Sequence, residues 1–159
     1  AVVRSARYAP DGARSWGPML TSMRHPDYQQ WAADHIATIP MIETAQAIEN
    51  IDDILSVPGI DAVYVGPADL AISLGLPPYG NDGNPLFDDA LATIVDACRR
   101  YEVVPGIHAT GPLTPLRRSQ GFRMITVTGD VLAMRLGFES ELAAATGDVD
   151  DGGSGGNLY

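Results

Sequence analysis

Lysine is absent from the 159 residues: ten basic side chains, all arginine, face twenty carboxylates. No side chain in this stretch can form a Schiff base with a carbonyl substrate. Cysteine is limited to Cys98, which excludes an internal disulfide and suits a reducing, cytoplasmic compartment. The net charge of −10 leaves no basic face for nucleic acid or an anionic membrane surface, where positive charge supplies most of the attraction. Long apolar runs are missing as well; a membrane-spanning helix needs about 20 such residues. No leader segment is visible.

The arginines are unevenly placed. Arg4, Arg7, Arg14 and Arg24 crowd the first part of the chain, as a solvated loop or subunit contact, or as an anion site. The opening "AVVRSARY" reads as entry partway through a helix. At the other end "GGSGGNLY" reads as a flexible linker with a tag remnant, so Gly152 to Tyr159 are set aside. The folded domain is expected over residues 1–147, with a tail at 148–159.

Four short apolar runs rich in β-branched residues read as strands: Ile36 to Ile42, Ala62 to Val65, Val103 to Ile107 and Met124 to Val127. Helical periodicity lies between them. Ala45, Ile48, Ile51 and Leu55 form one stripe. Phe87, Leu91, Ile94, Val95 and Cys98 form another, with acids in its first turn and Arg99 and Arg100 in its last. A weaker helix covers Thr114 to Ser119. The final one runs from about Val131 to Ala145, with a possible break at Gly137. Strand and helix alternate four times, which predicts an α/β fold with parallel strands. An open doubly wound sheet and a (β/α) barrel both fit; a full eightfold barrel takes about 250 residues, so this chain supplies about half of one.

The helix-to-strand turns, "SVPGID" and "RSQGF", are tight. The strand-to-helix side carries the unusual residues: Glu43, Gly66-Pro67-Ala68-Asp69, His108, Thr128-Gly129-Asp130 and the long loop Gly75 to Pro85. Ligands of parallel α/β folds lie at this side. Glu43 and Asp69 fall at the tops of neighbouring strands, which lie about 4.8 Å apart. Two ionised carboxylates so placed repel unless a cation binds both, and Mg²⁺ or Mn²⁺ prefers such oxygen ligands. Each acid can also be a helix-start carboxylate, and the two can form a general acid/base pair.

Specific strings narrow these alternatives. "PMIET" at Pro40 to Thr44 and "VPGIDAVYVGPADLAISLG" at Val57 to Gly75 resemble the HpcH/HpaI aldolase and citrate lyase family. More specifically, they resemble its metal-dependent pyruvate aldolases of the 4-hydroxy-2-oxoheptanedioate type. "ARYAPDGARSWGP", "VPGIHA" and "GFRMITVTGDVLAMRLG" resemble further family segments in the expected order, so the likeness runs to about Gly147. It implies strands five to eight of a (β/α)₈ barrel, in homo-oligomers, usually hexamers, whose final helix is exchanged between neighbours. It implies that Glu43 and Asp69 bind Mg²⁺, Mn²⁺ or Co²⁺. It also implies that the amides of Ala68 and Asp69, in a loop shaped by Gly66 and Pro67, touch the substrate carboxylate. The implied reaction splits a 4-hydroxy-2-oxo acid into pyruvate and an aldehyde.

The family's catalytic histidine, its orienting aspartate and its substrate arginine lie on earlier strands without counterpart here. Of His25, His35 and His108, only His108 falls at a strand's carboxyl end; it is the candidate catalytic residue, with a pocket-lining role as the alternative. Arg14 is expected near the mouth, and Leu76 and Tyr79 are candidates for lining the aldehyde end. An isolated half-barrel exposes two sheet edges and apolar surface, so pairing with another half or copy, or an ordered N-terminal part outside the given sequence, is expected. The alternative functions are a citryl- or malyl-CoA-type lyase and a non-catalytic half-barrel with a residual metal site.

Overall fold

The computed structural model describes residues 1–147, so the expected linker and tag at Gly152 to Tyr159 lie outside the described residues. The chain opens with a short helix, α1 (Val2–Ala6), then an irregular stretch and α2 (Tyr28–His35). Strand β1 (Met41–Ile42) is followed by α3 (Ala45–Glu49) and α4 (Ile51–Leu55). Next come β2 (Ala62–Val65), α5 (Pro67–Ser73) and the long α6 (Pro85–Arg100). The last elements are β3 (Val104–His108), α7 (Thr114–Ser119), β4 (Met124–Thr126) and α8 (Asp130–Thr146).

All neighbouring strands are parallel, and their order in space is their order in sequence, β1-β2-β3-β4. A doubly wound sheet reverses its strand order at a switch point. No reversal occurs among the described residues, and the unreversed succession is that of consecutive strands in a barrel wall.

Three boundaries differ from the sequence reading. The first strand shrinks from Ile36 to Ile42 to two paired residues. Pro40 lies inside that run and has no N–H to give to the ladder. Its carbonyl still accepts from the Tyr64 amide at 2.9 Å, and Thr38 N–H donates to the Asp61 carboxylate at 2.7 Å. The stripe from Ala45 to Leu55 is two helices rather than one. Asn50 closes the first and opens the second with φ −102° and ψ 18°. Helix α8 passes through Gly137 without a break.

One face of the sheet packs on helices. Ile42, Val63, Val65 and Ile107 are at most 1% exposed and join Leu70, Leu91, Ile94 and Cys98 in a single core. Helix α6 supplies most of the cover; Asn84 caps it by accepting from Leu86 N–H, and Pro85 occupies its first turn. Burial pushes the Cys98 thiol up to about 11, as expected for a core residue rather than a nucleophile. Helix α8 buries no residue in this chain; Val131, Met134, Leu136, Phe138 and Leu142 all lie in the open.

The N-terminal stretch has its own small aromatic cluster. Tyr8, Trp16 and Tyr28 pack edge-on, and His25 and His35 stack on the two sides of Trp31 at 4.3 and 4.5 Å. Both histidines are therefore packing residues. Arg7 donates to the Ala33 carbonyl, and the Arg14 guanidinium lies 4.8 Å from the Tyr8 ring centre. Arg14 is thus engaged in this cluster rather than at the mouth of the sheet.

Candidate active site

The second face of the sheet is built differently. Register places Met41 beside Tyr64, Tyr64 beside Gly106, and Gly106 beside Met124. One pleat further on, His108 pairs with Thr126. Extending the observed pairing of Ile42 with Val65 and of Val65 with Ile107 by one residue sets Glu43, Gly66 and His108 in the same row as Thr126. Residues in one row share a face, so these side chains stand together at the carboxyl ends of the strands.

Glu43 is half-buried directly after β1, and the next residue, Thr44, caps α3 by accepting from Ala47 N–H at 3.0 Å. The first amide of α3, at Ala45, is held by Ser73 Oγ from the end of α5 at 2.9 Å. Glu43 is thus anchored between a strand and a capped helix. Its carboxylate leans over the neighbouring strand: a Cβ on Gly66 would sit 2.7 Å from Glu43 Oε2. The glycine is what lets the carboxylate lie there.

Gly66 also opens α5, with Pro67 as the first helical residue. Proline suits that place because a first-turn N–H has no intrahelical partner. Ala68 and Asp69 follow in the same turn, and the first ladder bond runs from Leu70 N–H to the Gly66 carbonyl. The amides of Ala68 and Asp69 are consequently free for a ligand. Asp69 is exposed, and neither its carboxylate nor that of Glu43 has a hydrogen-bond or ion-pair partner among the described residues. Gly66, Pro67, Ala68 and Asp69 thus run on from the strand end over which Glu43 leans, forming one lip.

Two carboxylates without a protein partner are the kind of donors a hard divalent cation takes. No three His, Cys, Asp or Glu side chains converge among the described residues. Glu43 and Asp69 are the two carboxylates that this end of β1 and β2 carries.

His108 stands across from this lip. The Tyr64 hydroxyl lies 3.3 Å from His108 Nδ1 and 2.5 Å from Thr126 Oγ1. Tyr64 and Thr126 are site residues that the sequence reading passed over. Their signal was a polar atom at alternate positions in otherwise apolar strands, "VYV" and "MIT". Of the loop residues, Leu76 packs against the helix-side core and Tyr79 is 44% exposed. The loop is pinned from below by Arg117, a buried guanidinium that donates to Asp82 at 2.6 Å and to Gln120 at 3.0 Å.

Residues 1–132 match the family model described as HpcH/HpaI aldolase/citrate lyase. The chain belongs to this family. Among curated relatives, it is 33% identical to a hydroxypyruvate/pyruvate aldolase of Rhizorhabdus wittichii over 87% of this chain and 56% of that protein. It is 34% identical to a 4-hydroxy-2-oxo-heptane-1,7-dioate aldolase of Salmonella paratyphi C over 91% of this chain and 60% of that protein. Among solved structures, a HpcH/HpaI aldolase/citrate lyase family protein from Burkholderia cenocepacia J2315 superposes with a TM-score of 0.75 at 33% identity. That alignment covers 91% of this chain and 58% of the other. The chain thus spans a little over half the length of these relatives. The barrel reading stands: the four parallel strands are a segment of the family's barrel wall.

Proposed function

We propose that this chain carries the cation- and oxo-acid-binding half of an aldolase that cleaves 4-hydroxy-2-oxo acids to pyruvate and an aldehyde. The observation that carries the reading is the lip itself: the Glu43 carboxylate resting over Gly66, beside the helix turn that bears Asp69. Glu43 and Asp69 would hold Mg²⁺, Mn²⁺ or Co²⁺. When bound, the ion supplies a positive charge against which a 2-oxo oxygen can accumulate negative charge as the carbon–carbon bond breaks.

The chain's own residues do the remaining positioning. The amides of Ala68 and Asp69 donate to the substrate carboxylate at the start of α5, where the helix dipole favours an anion. Gly66 keeps the floor of the site bare, and Pro67 fixes the turn. No lysine of this chain takes part, since it contains none.

The full protein is proposed to act as a homo-oligomer, hexameric by family likeness, in the cytoplasm. The exposed apolar residues of α8 are the surface that such assembly covers. No helix among the described residues is long and apolar enough to cross a membrane.

A coupled assay for pyruvate release from a 4-hydroxy-2-oxo acid tests the reading. Activity is expected to vanish with EDTA and to return with Mn²⁺. A non-catalytic half-barrel, the rival reading, binds Mn²⁺ and releases no pyruvate. That rival rests on one observation: the described sheet has four strands and ends in two unpaired edges, β1 and β4.

A further inference from the structure

The two carboxylates of the lip stand on separate elements, and a hydrogen bond outside the sheet ties those elements together. Glu43 follows β1, whose ladder to β2 pairs only Met41 with Tyr64 and Ile42 with Val65. Asp69 lies in the first turn of α5. Ser73 is the last residue of that helix, and its Oγ accepts from the Ala45 N–H at 2.9 Å. Ala45 opens α3 and is joined to Glu43 through Thr44 alone.

The first amides of a helix have no partner within it. In α3 the Ala47 amide goes to Thr44, the helix's own cap, so the Ala45 amide is left to be held from outside. A helix brings residues four apart onto one face. Asp69 and Ser73 are so spaced, and the face of α5 that meets the start of α3 through Ser73 is therefore the face that bears Asp69. Glu43 leans over Gly66, the residue that opens the same helix. Ser73 thus closes a ring that runs from Glu43 through Thr44 and Ala45 into α5, and back along that helix to Asp69 and Gly66.

The two sides of this ring are not equally secure. Helix α5 is rooted in the core by Leu70 and Ala71, both fully buried. Helix α3 buries none of its residues, and β1 before it is two residues long. The segment of Glu43 is the one that needs holding. We propose that Ser73 is a positioning residue of the cation site: by holding the Ala45 amide it keeps that segment against α5 and sets the separation of the Glu43 and Asp69 carboxylates. This rests on the cation reading above. Mg²⁺ demands near-ideal octahedral geometry at about 2.0–2.1 Å, whereas Ca²⁺ accepts varied geometry at about 2.3–2.6 Å. A pair held at a set separation therefore favours the smaller ion, and loosening it narrows the preference.

Calorimetric titration of the intact chain with Mn²⁺ tests this. Ser73 is exposed, so its variants are expected to fold. S73A removes the acceptor and is expected to weaken Mn²⁺ binding by about fivefold, the size of one net hydrogen bond. S73T keeps the hydroxyl and restores the affinity. A45P removes the donor instead, at a first helical position that accepts proline, and matches S73A. In the D69N background S73A weakens binding no further, because no pair is left to position. Competition against bound Mn²⁺ shows Mg²⁺ losing more affinity than Ca²⁺ in S73A. Equal Mn²⁺ affinity in S73A and the wild type overturns the proposal, as does an undiminished effect of S73A in the D69N background. Absence of Mn²⁺ binding by the wild type overturns the cation reading, and the role of Ser73 falls with it.

Discussion

The two faces of this four-stranded sheet come from the same short strands, yet they answer to different demands. On the helix side, Ile42, Val63, Val65 and Ile107 are interchangeable in kind: aliphatic, fully buried, held by packing alone. On the other side each residue differs from the next. Tyr64 carries a hydroxyl, Gly106 carries nothing, and Glu43, His108 and Thr126 form a polar row at the carboxyl ends. A face that needs only volume tolerates any apolar side chain of similar size. A face that must hold charge and hydrogen bonds at set places does not.

Substitution should separate the faces sharply. Ile107→Ala leaves a cavity in the helix-side core and is expected to cost about 2–5 kcal/mol in urea denaturation. Gly106→Ala drives a methyl group into the Val63 carbonyl as well as Met124. A loss of about 1–3 kcal/mol in urea denaturation is expected there. Gly66→Ala is the informative opposite. Its φ of −89° suits alanine, and its nearest obstacle is the movable end of Glu43. The loss of stability is expected to be smaller than for Gly106→Ala, because side-chain ends rather than backbone must give way, while calorimetry shows weaker Mn²⁺ binding. The mildest contrast is at Cys98. With its thiol pushed up to about 11 by burial, it stays protonated at pH 8. Alkylation should then proceed only as the chain unfolds; rapid labelling of the native protein would contradict the packing described for α6.

What the sequence made legible follows the same division. Repeated apolar runs separated by helical stripes were enough for the parallel α/β order, and β2 falls at Ala62–Val65 as read. Glu43 stands directly after β1 and Asp69 in the first turn of α5, both on the strand-to-helix side from which the sequence reading took them. The length of β1 was misread because periodicity overlooks the missing N–H of Pro40. The helix break at Asn50 was misread because the apolar stripe of Ile48 and Ile51 continues across it. The Tyr64 contacts were beyond reach: they join residues 44 and 62 positions apart, through a register that no local pattern encodes. Helix α8 shows the converse. Its apolar residues are plain in the sequence, but only the structure shows that nothing among the described residues covers them.

Calorimetric titration of the chain with Mn²⁺, repeated on E43Q and D69N, tests the central claim most directly. The account predicts one ion bound per chain and an affinity reduced by about tenfold or more in each variant, with unfolding midpoints unchanged. Absence of binding to the wild type, or equal affinity in all three proteins, would contradict it.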